Sequence, residues 1–330
     1  MEQSSALESG CRLSQPNLSW EPELSDLKLF RITNGSAQEL KGKSVALEVS
    51  LQRLIEANME TLFGVRFLAT EYSTGAKHRG RIDSLGLDET GSPVIFEYKR
   101  AVNESVINQG LFYLDWLVDH KGEFQLLVME KLEGDAANDI DWRNPRVICV
   151  ASGFTRYDEN AVMQMSRSIE LVRYQDFEGE LLALELVTAA KTDLVSEDAG
   201  VSVISSKRSA ATTKTVTQYL DGSPQSLKDL FADLEAFIVA LGDEVTKKTL
   251  KLYFAYRRLK NFACVEVHPQ TQTLLVYLKV DPDSLQLEEG FSRDVRSIGH
   301  FGTGDLELRI KNATDFAKAQ PLIQQSYSTG

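Results

Sequence analysis

The stretch "PVIFEYKR", residues 93–100, limits what the chain can fold into more than any other segment. It is short, apolar and rich in β-branched and aromatic side chains, the composition of a strand covered on both faces. Yet it carries Glu97 and Lys99. Residues two apart on a strand share a face, so these two charges project together beside Ile95, with Val94, Phe96 and Tyr98 on the other side. The preceding run "RIDSLGLD" leads through the turn "ETGS" into this strand, and hairpin pairing brings Asp83 near Glu97. A buried charged pair usually gains no stability over apolar residues. The charges therefore point to a site, the plain alternative being a surface salt bridge on an edge strand.

The flanking segments can be read from their periodicity. Residues 1–44 form a lead-in with edge strands, "SDLKLFRIT" preceding the turn "NGS". In "SVALEVSLQRLIEANMETLFG" the residues Leu47, Leu51, Leu54, Ile55, Met59 and Leu62 recur three and four apart, which predicts an amphipathic helix capped by Ser44 and stopped by Gly64. A strand "VRFLATEY" and a basic loop "STGAKHRG" follow. After the hairpin, "NESVINQGLFYLDWLVDH" reads as a helix with Asn103 as its cap and Glu104 in its first turn. Gly110 inside it costs about 1 kcal/mol against alanine, which implies close packing there. "EFQLLVMEKLEGDAAND" reads as helix, "PRVICVAS" as a buried strand, "DENAVMQMS" as a short helix, and "IELVRY" and "ELLALELV" as strands. Residues 45–190 thus make one domain and the Ser-, Thr- and Lys-rich residues 191–223 a linker. Residues 224–330 make an α+β accessory domain, in which "LKDLFADLEAFIVALGD" and "VTKKTLKLYFAYRRLK" read as helical.

Two carboxylates and a strand carbonyl near one point form a hard oxygen site that Mg²⁺ accepts, waters filling the remaining positions. Such an ion lowers the pKa of a bound water and neutralises charge on a phosphoryl oxygen. Lys99 beside it would orient the water or stabilise transition-state charge. Asp83 followed by Glu97-Tyr98-Lys99, in helix–strand–strand–strand–helix order, resembles the PD-(D/E)xK nuclease superfamily, with Ile82 in place of the proline. Residues 45–187 resemble its NucS/RecB-like branch: "EVSLQRLIEANM" is similar to the Glu-bearing first helix there, and "NQGLFYLDWL" to the helix supplying a glutamine. The resemblance implies a restriction-endonuclease-like α/β fold, a mixed sheet flanked by helices, with Mg²⁺ or Mn²⁺ as cofactor. It also implies Asp83 and Glu97 as metal ligands, Lys99 as the catalytic lysine, Glu48 as the helix carboxylate and a further ligand, and Gln109 and Tyr113 as supporting residues. Glu56 remains an alternative to Glu48. The segment "RSIGHFGTGDLEL" and the helix after it resemble an uncharacterised domain often found behind nuclease-like domains.

A length of 330 residues suits two domains, and a net charge of −12 sets a whole-molecule field against phosphate. A nucleic-acid partner must then be held by local basic groups or a bound cation. One group is Lys77, His78, Arg79 and Arg81 beside Asp83, either a clamp on the substrate backbone or a solvated loop. The other comprises Lys247, Lys248, Lys251, Arg257, Arg258 and Lys260, interleaved with Tyr253, Phe254 and Tyr256. It reads as a nucleic-acid-facing helix or, equally, as a solvated face over core aromatics. His268 and His300 read as structural, and no Gly-x-Ser-x-Gly elbow, Cys/His pair or dinucleotide fingerprint is convincing. Cys11, Cys149 and Cys264 are unpaired in spacing, no apolar run would span a bilayer, and residues 1–20 lack signal-peptide character, so a cytoplasmic location is expected. The resulting expectation is a metal-dependent deoxyribonuclease of repair or defence, acting on DNA without a membrane, with a homodimer as a reasonable state. The alternative is a nucleic-acid-binding or regulatory module of nuclease-like fold that does not cut alone.

Overall fold

The computed structural model describes residues 27–43, 48–99, 105–132, 136–189 and 214–329. Ser44, Asn103, Glu104, Cys11 and most of the expected linker lie outside those residues. A hairpin of β1 (Leu29–Thr33) and β2 (Ser36–Leu40) comes first. It turns on Asn34 and Gly35, whose positive φ angles of 51° and 78° are what a two-residue hairpin turn favours.

There follow β3 (Gly42–Lys43), α1 (Glu48–Ala57), α2 (Met59–Phe63), β4 (Val65–Ser73) and α3 (Gly75–His78). The chain continues with β5 (Arg81–Asp88), β6 (Pro93–Lys99), α4 (Ser105–Asp119), α5 (Lys121–Lys131), β7 (Arg146–Ala151), α6 (Arg156–Met163), β8 (Ser168–Phe177) and β9 (Leu181–Ala189). The sheet runs β3-β8-β7-β6-β5-β4, with β9 also paired to β8. Its β6–β7 and β7–β8 pairs are parallel, and its other pairs are antiparallel. Both faces are covered, which accounts for the apolar run Val94–Phe96 in β6. Leu51, Ile55 and Phe63 of α1 and α2 pack on Val94, Phe96 and Tyr98. On the other face Val106, Leu114 and Leu117 of α4 pack with Leu85, Ile95, Val147 and Cys149. This is the mixed α/β sheet flanked by helices that the sequence predicts.

The second half has α7 (Val216–Asp221), α8 (Gln225–Val239), β10 (Thr246–Thr249), β11 (Phe254–Arg257), β12 (Asn261–His268) and β13 (Thr273–Leu278). It closes with β14 (Ser292–Asp294), β15 (Leu306–Ile310) and α9 (Ala313–Thr329). Its antiparallel sheet, ordered β10-β11-β12-β13-β15-β14, carries α7, α8 and α9 on one face. Two expectations are corrected. The segment "VTKKTLKLYFAYRRLK" forms β10 and β11 rather than a helix, because its aromatics alternate: Phe254 and Tyr256 enter the helix-covered core while Tyr253 and Ala255 face the other side. The stretch read as linker also contains α7, started by a capping box between Thr215 and Gln218 and anchored by buried Val216. No helix among the described residues is long and apolar enough to cross a membrane.

Gly110 sits where α4 crosses β7, and a Cβ there would lie 2.5 Å from Val147 Cγ1. Gly110→Ala should therefore lower stability by about 1–2 kcal/mol despite its better helix propensity, read as a drop in the urea midpoint at unchanged slope.

Candidate active site

Asp83 lies on β5, and Glu97 and Lys99 lie on β6. The pairing Ser84↔Phe96, carried one step further, sets Asp83 across from Glu97 on the face covered by α4. The Tyr98 N–H donates to Asp83 Oδ2 at 3.0 Å, and the Asp83 N–H points toward Glu97 Oε1 at 3.5 Å. Glu97 is only 1% exposed. Burial and then the charge of Asp83 push its carboxyl up to about 9, against the opposing effects of the Asp83 N–H and of Lys99. Burial likewise raises Asp83, with the Tyr98 N–H and Lys99 pulling the other way and Glu71 and Glu48 adding to the rise. Beside Glu97 on parallel β7, burial and the Glu97 charge raise the Cys149 thiol. The pair sits at the carboxyl end of β6, the end where α/β sheets commonly receive ligands.

The two helix carboxylates take different places. Glu48 begins α1 and its charge reaches Asp83. Glu56 accepts from Ser84 Oγ at 2.6 Å and from Gln52 Nε2 at 3.0 Å. Ser84 alternates with Asp83 along β5, so Glu56 is committed to the opposite face of the strand. Gln52 was not singled out from the sequence, yet its Nε2 also donates to the Asp83 carbonyl at 2.8 Å and to Thr70 Oγ1 at 3.2 Å. Its signal was a polar residue beside Leu51 on the buried stripe of α1.

On α4, Gln109 has a buried Oε1 without a hydrogen-bond partner among the described residues. Tyr113 does not join the carboxylates; its hydroxyl accepts the Arg81 N–H at 3.2 Å and pins the start of β5 two residues before Asp83. Lys77 falls in α3, Arg79 caps that helix at a φ of 48°, and exposed Arg81 pairs with Glu71 at 2.5 Å. The ring of His78 lies 5.8 Å from those of Phe112 and His120.

Two members of the second basic group, Lys248 and Arg257, do not face solvent. Lys248 is buried and pairs with Asp141 at 3.3 Å, and Arg257 is buried against Glu170 at 3.0 Å. Arg258 pairs with Glu244 at 2.9 Å and lies over the Tyr327 ring, and Lys247 covers Phe231 and Phe254. Lys251 is exposed. On an alternating strand inside the fold, half of such charges must point inward, which is why Lys248 and Arg257 are lost to solvent. His268 pairs with Glu266, and His300 stacks on Tyr277 at 4.5 Å. No group of three or more His, Cys, Asp or Glu side chains able to hold a metal occurs among the described residues.

Residues 216–330 match the family model described as "Domain of unknown function (DUF5655)". A Haemophilus influenzae protein described as "Uncharacterized protein" is 28% identical over 309 residues, covering 91% of this chain and 99% of that protein. Among solved structures, a repair endonuclease from Pyrococcus abyssi is 21% identical over 39% of this chain, with a TM-score of 0.28. The EndoMS–dsDNA2 complex is 22% identical over 41% of this chain, with a TM-score of 0.27. In both cases the match spans 47% of the other chain, about half its length.

The raised Glu97 has a consequence for stability. Folded, it keeps its proton up to about pH 9; unfolded, it loses it near 4.5. The folded state thus binds more protons across that window, and stability falls as pH rises through it. In chelator, wild type should lose about 3 kcal/mol relative to Glu97→Gln between pH 4.5 and 7, measured by urea unfolding. Parallel pH curves for the two proteins would contradict the raised carboxyl.

Proposed function

We propose that this chain is a metal-dependent nuclease that hydrolyses phosphodiester bonds in DNA, with its centre at Asp83, Glu97 and Lys99. The observation that carries the reading is the carboxylate pair itself: Asp83 stands across from buried Glu97 with Lys99 on the same face, and burial raises both carboxyls. A cation relieves that state. Two carboxylates fit Mg²⁺ or Mn²⁺, which accept one or two carboxylates and keep several waters. The unpartnered Gln109 Oε1 fits the same picture as an acceptor for a water or for an ammonium.

Asp83 and Glu97 would hold the ion, and Glu48 would hold a ligand water or a second, weaker ion. When bound, the ion supplies a lowered water pKa and neutralises charge on the scissile phosphate. Lys99 shares the face of Glu97 and would stabilise the extra negative charge of the transition state or orient the attacking water. Gln109 would orient the water or the lysine. Tyr113 and Gln52 act on β5, holding the strand that carries Asp83. Resemblance to the NucS/RecB-like nucleases over residues 45–187 supports the same reading and, with it, a place in DNA repair or defence. Because Lys248 and Arg257 are internal, they add no basic surface to an acidic chain, which favours a version in which another protein helps bring the DNA.

The test is cleavage of supercoiled, linear duplex and single-stranded DNA in Mg²⁺, Mn²⁺ and Ca²⁺. Glu97→Ala and Lys99→Ala should each slow cutting by about 100-fold or more, with DNA affinity in Ca²⁺ retained. Equal cutting by all three proteins would assign the activity to a contaminant. Absence of cutting by wild type on every substrate would leave the binding module.

A further inference from the structure

The turn between β5 and β6, residues 89–92, is where the two halves of the chain are most tightly joined. Hairpin turns usually run over the surface, but Asp88, Thr90 and Ser92 are buried here. Asp88 Oδ1 accepts from the Thr90 N–H at 2.8 Å, the Thr90 hydroxyl at 2.6 Å and the Ser92 N–H at 2.9 Å, so the turn is tied on itself. Gly91 has a φ of 77°, and its carbonyl accepts the Asp141 N–H at 2.7 Å.

The C-terminal half then grips this turn from four of its own segments. Lys248 Nζ, on β10, donates to Thr90 Oγ1 at 2.7 Å and to Ser92 Oγ. Arg257, on β11, pairs with Glu170 and stands 3.7 Å from Asp88 Oδ2, which Arg146 also holds at 2.9 Å. The Asn261 N–H donates to Glu89 Oε2 at 3.0 Å, and Lys279 pairs with the same carboxylate.

Asp83 is five residues from Asp88 on one strand, roughly 17 Å away at the usual rise. The grip is therefore at the opposite end of the hairpin from the carboxylate pair. Yet strand pairing is rigid along its length, and a one-residue slip would turn every side chain of β5 to the other face. Buried ion networks seldom add stability over apolar packing, but they do fix register. We propose that the C-terminal half braces the β5–β6 hairpin, with Lys248 and Arg257 as positioning residues that hold Asp83 opposite Glu97. This role rests on the nuclease reading for what the pair does, not for the register itself.

The register is read by amide hydrogen exchange, above all at Tyr98, whose N–H donates to Asp83. The variant is Lys248→Met with Asp141→Asn, which removes both buried charges and leaves the exposed Arg143, the other partner of Asp141, to solvent. Exchange at Tyr98 and along β5–β6 should quicken by about tenfold, while β12–β13 exchange as in wild type and Lys248→Arg restores protection. Arg257→Gln, which leaves Arg146 on both Asp88 and Glu170, should act in the same direction. Unchanged β5–β6 exchange in both variants would overturn the brace, and so would equal acceleration in both sheets, which means general loosening. In parallel, kcat of DNA cleavage should fall several-fold with little change in KM. If wild type does not cut at all, the nuclease reading fails while the exchange result still decides the brace.

Discussion

The antiparallel register of β5 against β6 is the constraint on which the rest depends. It places Asp83 across from Glu97, lets the Tyr98 N–H reach the Asp83 carboxylate, and leaves Ser84 on the opposite face to take up Glu56. Because side chains alternate along each strand, one choice of pairing settles all three contacts. The helices secure that choice from outside: Gln52 of α1 holds the Asp83 carbonyl, and Tyr113 of α4 holds the Arg81 amide. The candidate site is thus built on paired strands rather than on loops, the placement that holds side chains most closely.

Two sets of buried charges lie at opposite ends of this hairpin, and their balance differs. At the turn, Asp88, Asp141 and Glu170 are each paired with cations, drawn from Arg143, Arg146, Lys248 and Arg257. Cations hold the carboxyls of all three acids below their ordinary range despite burial: Lys248, Arg146 and Arg257 for Asp88, Arg146 and Arg257 for Glu170, and Arg143 followed by Lys248 for Asp141. At the other end, Lys99 is the cation among the described residues that acts on both Asp83 and Glu97, and both carboxyls are raised. A network that satisfies itself has a structural purpose; a pair left short of positive charge is the kind of perturbed constellation that accompanies function. The two ends also respond oppositely to pH. The turn's stabilisation is present above the unfolded carboxylate pKa and is lost as acid protonates the carboxylates, whereas the Glu97 end costs stability as pH rises toward about 9.

Much of the first half was legible because its signals are local. The apolar run of β6 interrupted by Glu97 and Lys99 gave the central strand, and period-3.6 spacing gave α4 and the helical stretch before Gly64, read as one helix but divided at Asn58 into α1 and α2. The choice between Glu48 and Glu56 was not legible, since both belong to the same short helix and only the tertiary position of Ser84 separates them. The second basic group misled for a related reason. Lys248 and Arg257 look like a cationic surface in one dimension, but their partners Asp141 and Glu170 lie more than eighty residues away or on another sheet, where no local pattern points to them. The Thr215–Gln218 capping box, by contrast, was present in the sequence and would have taken α7 out of the linker.

The same misreading changes what the second half can be for. A domain presenting Lys248 and Arg257 outward would add positive field to an acidic chain and draw in phosphate. With those cations spent inside, the half that matches the domain of unknown function contributes contacts at residues 88–92, 141 and 170. Those residues all lie at the strand ends remote from Asp83 and Glu97. The positive charge left near the carboxylate pair then comes from the first half itself, from Lys99 and the Arg79–Arg81 stretch beside β5. On the proposed reading, a divalent ion held by the carboxylate pair would add to this field, and its binding and that of a polyanion would then be coupled by charge.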